Sequence, residues 1–116
     1  MSEYNPDKFT LLEITLENET FYKVFGTWGG SYLYGDSWRM NSGIERAVWD
    51  SETISFIGSS GSTYKCNIAS EGVTGASGMG TLSELLSNNK DQIKVVTLQE
   101  CIDNMCFPIE EVKENT

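Results

Sequence analysis

The chain has no histidine, only two prolines and only eight basic residues among 116. Without histidine, the Ser-His-Asp and Cys-His arrangements of nucleophilic catalysis are excluded, and so are the imidazole ligands of most zinc sites. The scarcity of proline argues against long disordered segments away from the ends. No apolar run approaches the roughly 18–20 residues needed to span a bilayer. The opening MSEYNPDKF lacks a basic-then-apolar leader pattern. The expectation is therefore a soluble cytoplasmic protein with no membrane partner.

Cysteine is also scarce. An odd set of three, Cys66, Cys101 and Cys106, in a chain without a leader points to reduced thiols. Cys101 and Cys106 have the wrong spacing for a zinc knuckle, so they read as packing thiols, with no metal and no cofactor. Asn18-Glu19-Thr20 matches a glycosylation sequon, which in a cytoplasmic chain is a coincidence within a turn. There is no G-x-S-x-G elbow, and no pair of carboxylates stands out at a spacing suited to glycoside hydrolysis. Asp36 and Asp50 sit beside candidate turns, where aspartate caps or is solvated. The segment Gly75 to Thr81 has two glycines five apart before a helix, yet it lacks the lysine of a phosphate loop. These absences leave little machinery for general acid–base chemistry, and the expectation is that the chain is not an enzyme.

Acid is plentiful: seventeen carboxylates give a net charge of −9. That charge repels nucleic-acid backbones, so no direct nucleic-acid partner is expected, whereas a basic protein surface would be attracted. The acids crowd the two ends. None lies between Phe21 and Gly35 or between Ile54 and Ser70.

Alternation of apolar and polar residues predicts a strand over Phe9 to Glu17, with Thr10, Leu12, Ile14 and Leu16 on one face. A turn at Asn18 to Thr20 returns the chain as Phe21 to Thr27, which carries large groups on both faces and so reads as central. Trp28-Gly29-Gly30 is expected to break this strand. Short strands follow over Ser31–Tyr34, Trp38–Asn41, Ile44–Asp50, Ile54–Gly58 and Thr63–Ile68, separated by turn residues. Thr81-Leu82-Ser83-Glu84 reads as a capping box starting a short helix near residues 81–89, and Ile93 to Gln99 reads as a last strand. The chain should form one domain, loosely held over residues 1–8 and ending in an acidic tail from about 107. The fold class is α+β: an antiparallel β-meander of six to seven strands, which could curl into a half-barrel, with one short helix against it.

The stretch Gly35 to Cys66 holds both arginines and two of the three tryptophans. Trp28, Tyr32, Tyr34, Trp38, Arg39, Arg46, Tyr64 and Lys65 form an aromatic and basic set that could stack on a base and neutralise a phosphate. Asn41, Ser42, Ser60 and Ser62 could add neutral hydrogen bonds. The competing reading is that the rings fill a small core. A third reading uses the acids Glu13, Glu17, Glu110, Glu111 and Glu114 as a surface that occupies a basic site on another protein.

GDSWRMNSGI (Gly35 to Ile44) followed by SGSTYKC (Ser60 to Cys66) resembles a pattern of small accessory proteins of tailed phages. The resemblance implies a protein made early in infection, located in the host cytoplasm, that binds and blocks a host defence. Two expectations follow. The first is a non-catalytic anti-defence factor that sequesters a small anionic nucleotide-like ligand through Trp38, Arg39, Asn41, Ser42, Arg46, Ser60, Ser62, Tyr64 and Lys65, as a possible homo-oligomer. The alternative is an acidic inhibitor, of the anti-CRISPR or DNA-mimic type, seated on a host nuclease or CRISPR effector.

Overall fold

The computed structural model describes residues 2–31 and 35–112, with main chain only at 30, 31, 35 and 36. Nine strands appear in chain order: β1 (Glu3–Tyr4), β2 (Lys8–Leu16), β3 (Glu19–Ser31), β4 (Gly35–Met40), β5 (Ile44–Trp49), β6 (Thr53–Gly58), β7 (Thr63–Asn67), β8 (Ile93–Val96) and β9 (Ile109–Glu111). Helix α1 (Ala76–Asn88) lies between β7 and β8, and helix α2 (Leu98–Asp103) follows β8. The class is α+β, with antiparallel meanders predominating. The strands do not share one sheet, however. They form a five-stranded sheet, β1-β7-β6-β5-β9, and a four-stranded sheet, β4-β3-β2-β8.

The reason lies in β2 and β3. Phe9, Leu11 and Val24 project from one face of their sheet, and Leu12, Ile14 and Phe25 from the other. A sheet with large apolar groups on both faces must be covered twice. The five-stranded sheet covers the first face through Ala47, Ile54, Phe56 and Tyr64, with Leu98, Cys101 and Phe107 filling the same core. Helix α1 covers the second with Leu82, aided by Leu85 and Leu86. Each fully buried aromatic or aliphatic side chain contributes about 1.5–3 kcal/mol here. The chain crosses from one sheet to the other at Asn41–Gly43, which is why no half-barrel closes.

Several local expectations change. Glycines 29 and 30 do not break β3; it runs through them, and the Gly29 amide donates to Asp7 Oδ2 at 2.8 Å. The front segment is tied in at residues 3–7: β1 pairs in parallel with β7, Pro6 is buried, and the Asp7 amide donates to the Thr27 carbonyl at 2.9 Å. Helix α1 starts at Ala76, so Thr81 and Glu84 lie inside it and form no cap. The predicted last strand stops at Val96, and its remaining residues enter α2. Part of the acidic tail becomes β9, which lies parallel to β5. Ser31–Tyr34 falls largely outside the described residues. No helix among the described residues is long and apolar enough to cross a membrane.

Candidate functional site

The aromatic and basic residues do not assemble. Trp38 and Arg39 are neighbours on the edge strand β4 and point to opposite faces, as strand geometry requires. Trp38 lies on the α1 side, stacked on Phe25 with centroids 5.4 Å apart and planes at 14°, and remains 41% exposed. Arg39 faces the other way, its guanidinium carbon 4.5 Å from the Tyr4 ring centre. Tyr4 in turn packs on Tyr64 at 5.1 Å. Tyr64 is 1% exposed, so it cannot stack on a ligand. Burial pushes its hydroxyl up to about 12, although the nearby Arg39 charge acts in the opposite direction. Gly26 makes this packing possible, since a Cβ there would meet Pro6 at 3.0 Å and Tyr64 at 3.5 Å.

Arg46 and Lys65 lie on the outer face of the five-stranded sheet, opposite Ile57 and Ser55 respectively. The core separates them from Trp38. Asn41 does not face the surface: it is 5% exposed, its Oδ1 accepts from the Val24 amide at 2.9 Å where β3 and β4 part, and its buried Nδ2 has no partner among the described residues. The two serine corners do come together. Ser42 Oγ lies 3.0 Å from Ser59 Oγ and 3.1 Å from Ser60 Oγ, and it accepts from the Ser60 amide at 3.2 Å. Ser62 contributes its carbonyl, which accepts from the Gly58 amide. Trp28 is half-buried and donates to the Asn5 carbonyl at 3.0 Å. Tyr32 and Tyr34 lie outside the described residues. The single surface expected of these groups is thus divided among three faces.

The acidic set divides as well. Glu13 is occupied: it accepts from the Tyr22 hydroxyl at 2.9 Å and pairs with Lys94 at 3.3 Å. Glu17 sits with Asn18 in the β2–β3 turn, both at positive φ (48° and 71°), the left-handed pair that a two-residue hairpin uses. Glu110 and Glu111 are exposed on β9 beside Val48 and Trp49. Glu114 lies outside the described residues.

A cleft opens near that last pair. It has a volume of ≈ 310 Å³, and its walls are Trp49 and Ile54 from the sheet, Ile68, and Leu98 and Ile102 from α2. Glu71 and Gln99 supply its polar lining. A shallower groove of ≈ 420 Å³ continues from Ile68 past Glu52 and Asn67. Glu111 lies opposite Trp49 in register, and Gln99 is held by Asp103 at 2.9 Å. The cleft is therefore apolar within and carboxylate-rich around its edge.

Local chemistry builds its outer wall. Thr97 leaves β8 with extended dihedrals (φ −85°, ψ 158°) and closes a reciprocal capping box with Glu100. Glu71 Oε2 takes the Leu98 amide at 2.8 Å, so a second carboxylate anchors the same helix start. Leu98, Cys101 and Ile102 then fall on one side of α2, at the i, i+3, i+4 spacing of an apolar stripe, of which Leu98 and Cys101 are buried and Ile102 is exposed. Thr97 to Glu100 carries the same T-x-x-E signal as Thr81 to Glu84. That repeat, followed by Leu98 and Ile102, could have located this wall in the sequence.

The fold and the cleft together define an α+β protein of three layers, two sheets and a helix, with one acid-edged apolar recess. No family model, curated protein or solved structure matches the chain.

Proposed function

We propose that the chain is a non-catalytic binding protein that seats a basic segment of a partner protein, anchored by an apolar side chain, in the cleft between α2 and the end of β5. The observation that carries this reading is the joining of an apolar recess to carboxylates at its edge. Trp49 and Ile102 offer the dry contact that dominates interface energetics, and Ile102 stays 40% exposed among the described residues. Val112, 52% exposed, is held beside Trp49, its amide donating to the Trp49 carbonyl at 2.8 Å. Glu52, Glu71 and Glu111 favour lysine and arginine around that anchor, and a net charge of −9 steers a basic partner from a distance. This is the acidic-inhibitor alternative, with its surface moved from the two chain ends to one cleft. Displacing or covering a partner's basic site needs no chemistry from this chain.

The test is titration of the labelled protein with synthetic peptides carrying one Leu or Phe between lysines, followed by amide and indole NMR shifts. Shifts gathered on Trp49, Ile68 and Ile102 are expected, lost in Ile102→Lys. In Glu52→Gln/Glu111→Gln they should weaken several-fold, with a shallower salt dependence. Absence of shifts in the cleft with every basic peptide overturns the reading. Shifts at Arg39, Ser42 and Ser60 with a cyclic nucleotide, and none with peptides, replace it with nucleotide sequestration.

A further inference from the structure

The C-terminal end of α2 ends in a full Schellman motif. The Cys106 amide donates to the Cys101 carbonyl at 3.1 Å, and the Met105 amide donates to the Ile102 carbonyl at 3.3 Å. Between them Met105 takes φ 49°, the left-handed conformation this motif requires. Such an ending brings the residue two past the cap back onto the third-last helical residue. In this chain both of those residues are cysteines. Two residues whose spacing does not suit a zinc knuckle, and which read as packing thiols in the sequence, are thus folded together by one reversal of the backbone.

The surroundings of the two thiols differ. Cys101 is fully buried in the core between the sheets, whereas Cys106 is half-buried at its edge. The backbone bond sets Cys106 beside Cys101, and Cys106 is also the first influence raising the Tyr22 hydroxyl above its ordinary value. Tyr22 continues the contact to Glu13. The third thiol, Cys66, is 1% exposed, and its hydrogen bond is to the Tyr64 carbonyl at 3.7 Å.

We propose that Cys101 and Cys106 are a thiol–disulfide site, with Cys106 the thiol that reacts first and Cys101 the one that closes the bond. A disulfide requires Cα atoms roughly 4.4–6.8 Å apart, and the 3.1 Å bond from the Cys106 amide to the Cys101 carbonyl brings the two backbones into that direct approach. The oxidant is a small disulfide, R–S–S–R. The Cys106 thiolate attacks one of its sulfurs, forming Cys106–S–S–R and releasing one R–S⁻. The Cys101 thiolate then attacks the Cys106 sulfur, expelling the second R–S⁻. Two protein thiols are oxidised to one disulfide, the oxidant is reduced to two thiols, and those leaving groups take up the two protons. Burial pushes the Cys101 thiol up to about 12, so the closing step is the slow one. The bond would fasten the end of α2 to the strand that enters β9. The inference does not rest on the binding proposal, because it uses neither the cleft nor a partner.

The test is incubation of the native protein with oxidised glutathione over hours, quenching with an alkylating agent under denaturing conditions, and peptide mapping by mass spectrometry. The expected result is loss of two hydrogens from the intact mass, one alkylatable cysteine remaining at Cys66, and a cross-linked peptide holding Cys101 and Cys106. Cys101→Ser should instead accumulate glutathione on Cys106, and Cys106→Ser should accumulate little on Cys101. Three alkylatable thiols in the treated wild-type protein, or glutathione that stays on Cys106 without closure, overturns the proposal. The wild-type measurement decides this even if a variant folds poorly.

Discussion

Thr81-Leu82-Ser83-Glu84 and Thr97-Leu98-Gln99-Glu100 differ at one position, yet they lie in helices held by different means. Helix α1 has thirteen residues, begins at Ala76 after Gly75 with no side-chain cap and carries Ser77 and Gly78 in its first turn. Helix α2 has six residues, a reciprocal capping box at its start and a Schellman motif at its end. The longer helix is poor in local signals and stays helical because its first turn is clamped on β3. A Cβ at Gly78 would lie 2.5 Å from Thr27 Cγ2, and the Thr74 amide donates to Thr27 Oγ1 at 3.0 Å. With the chain already helical at Gly78, Thr81 has no free amides to cap. Thr97 arrives in extended conformation from β8, so the same residue types find the geometry that a cap needs.

The difference can be tested at each helix. The largest effect is expected at the clamp: Gly78→Val should destabilise the protein by about 2–3 kcal/mol through overpacking against Thr27. Gly78→Ala should be milder, and adding Thr27→Ser should recover part of that loss, since serine removes the methyl and keeps the hydroxyl that Thr74 uses. Urea unfolding measures all three, and wild-type stability in Gly78→Val would show that packing does not hold α1. Next, Thr97→Ala should cost about 1 kcal/mol. Its counterpart Thr81→Ala should change stability by no more than about 0.5 kcal/mol, because alanine suits a helix interior. Equal losses at the two threonines would erase the distinction. The smallest effect is a gain: Met105→Gly should stabilise by about 0.5–1 kcal/mol, because glycine adopts positive φ without the Cβ conflict. Met105 is 80% exposed, so little packing is given up. Thermal melting of the reduced protein reads this shift.

The strands of the two meanders were legible because alternation records itself along a few residues. Lys65 and Cys66 could be assigned to opposite faces from the sequence, as could Tyr22 and Phe25. Helix α2 was missed because Val95, Val96 and Thr97 extended a β-like run over residues whose capping signal began at Thr97. The stacking surface did not form for a related reason. Trp38 and Arg39 were known to alternate, but alternation does not say that Phe25 awaits one ring and Tyr4 the guanidinium. Tyr64 looked like a partner for Lys65 and instead became core, because the sheet that carries it packs on Gly26. Trp49 was visible throughout, and only the approach of α2 made it the wall of a cleft.

By itself the sequence determined what depends on neighbours along the chain. That includes the alternation of each strand, a turn about Asn18 (read one residue late, since Glu17 also turns), and the excess of acid. Only the tertiary structure decided that the strands divide into two sheets, that Thr81 is swallowed by a helix, and that the aromatic and cationic groups part. The same holds for Cys101 and Cys106, whose different burial comes from what packs around them. Dihedral preferences and capping bonds act over four to six residues, so a short segment carries them whole. Which face of a segment is covered, and by what, depends on partners distant in sequence.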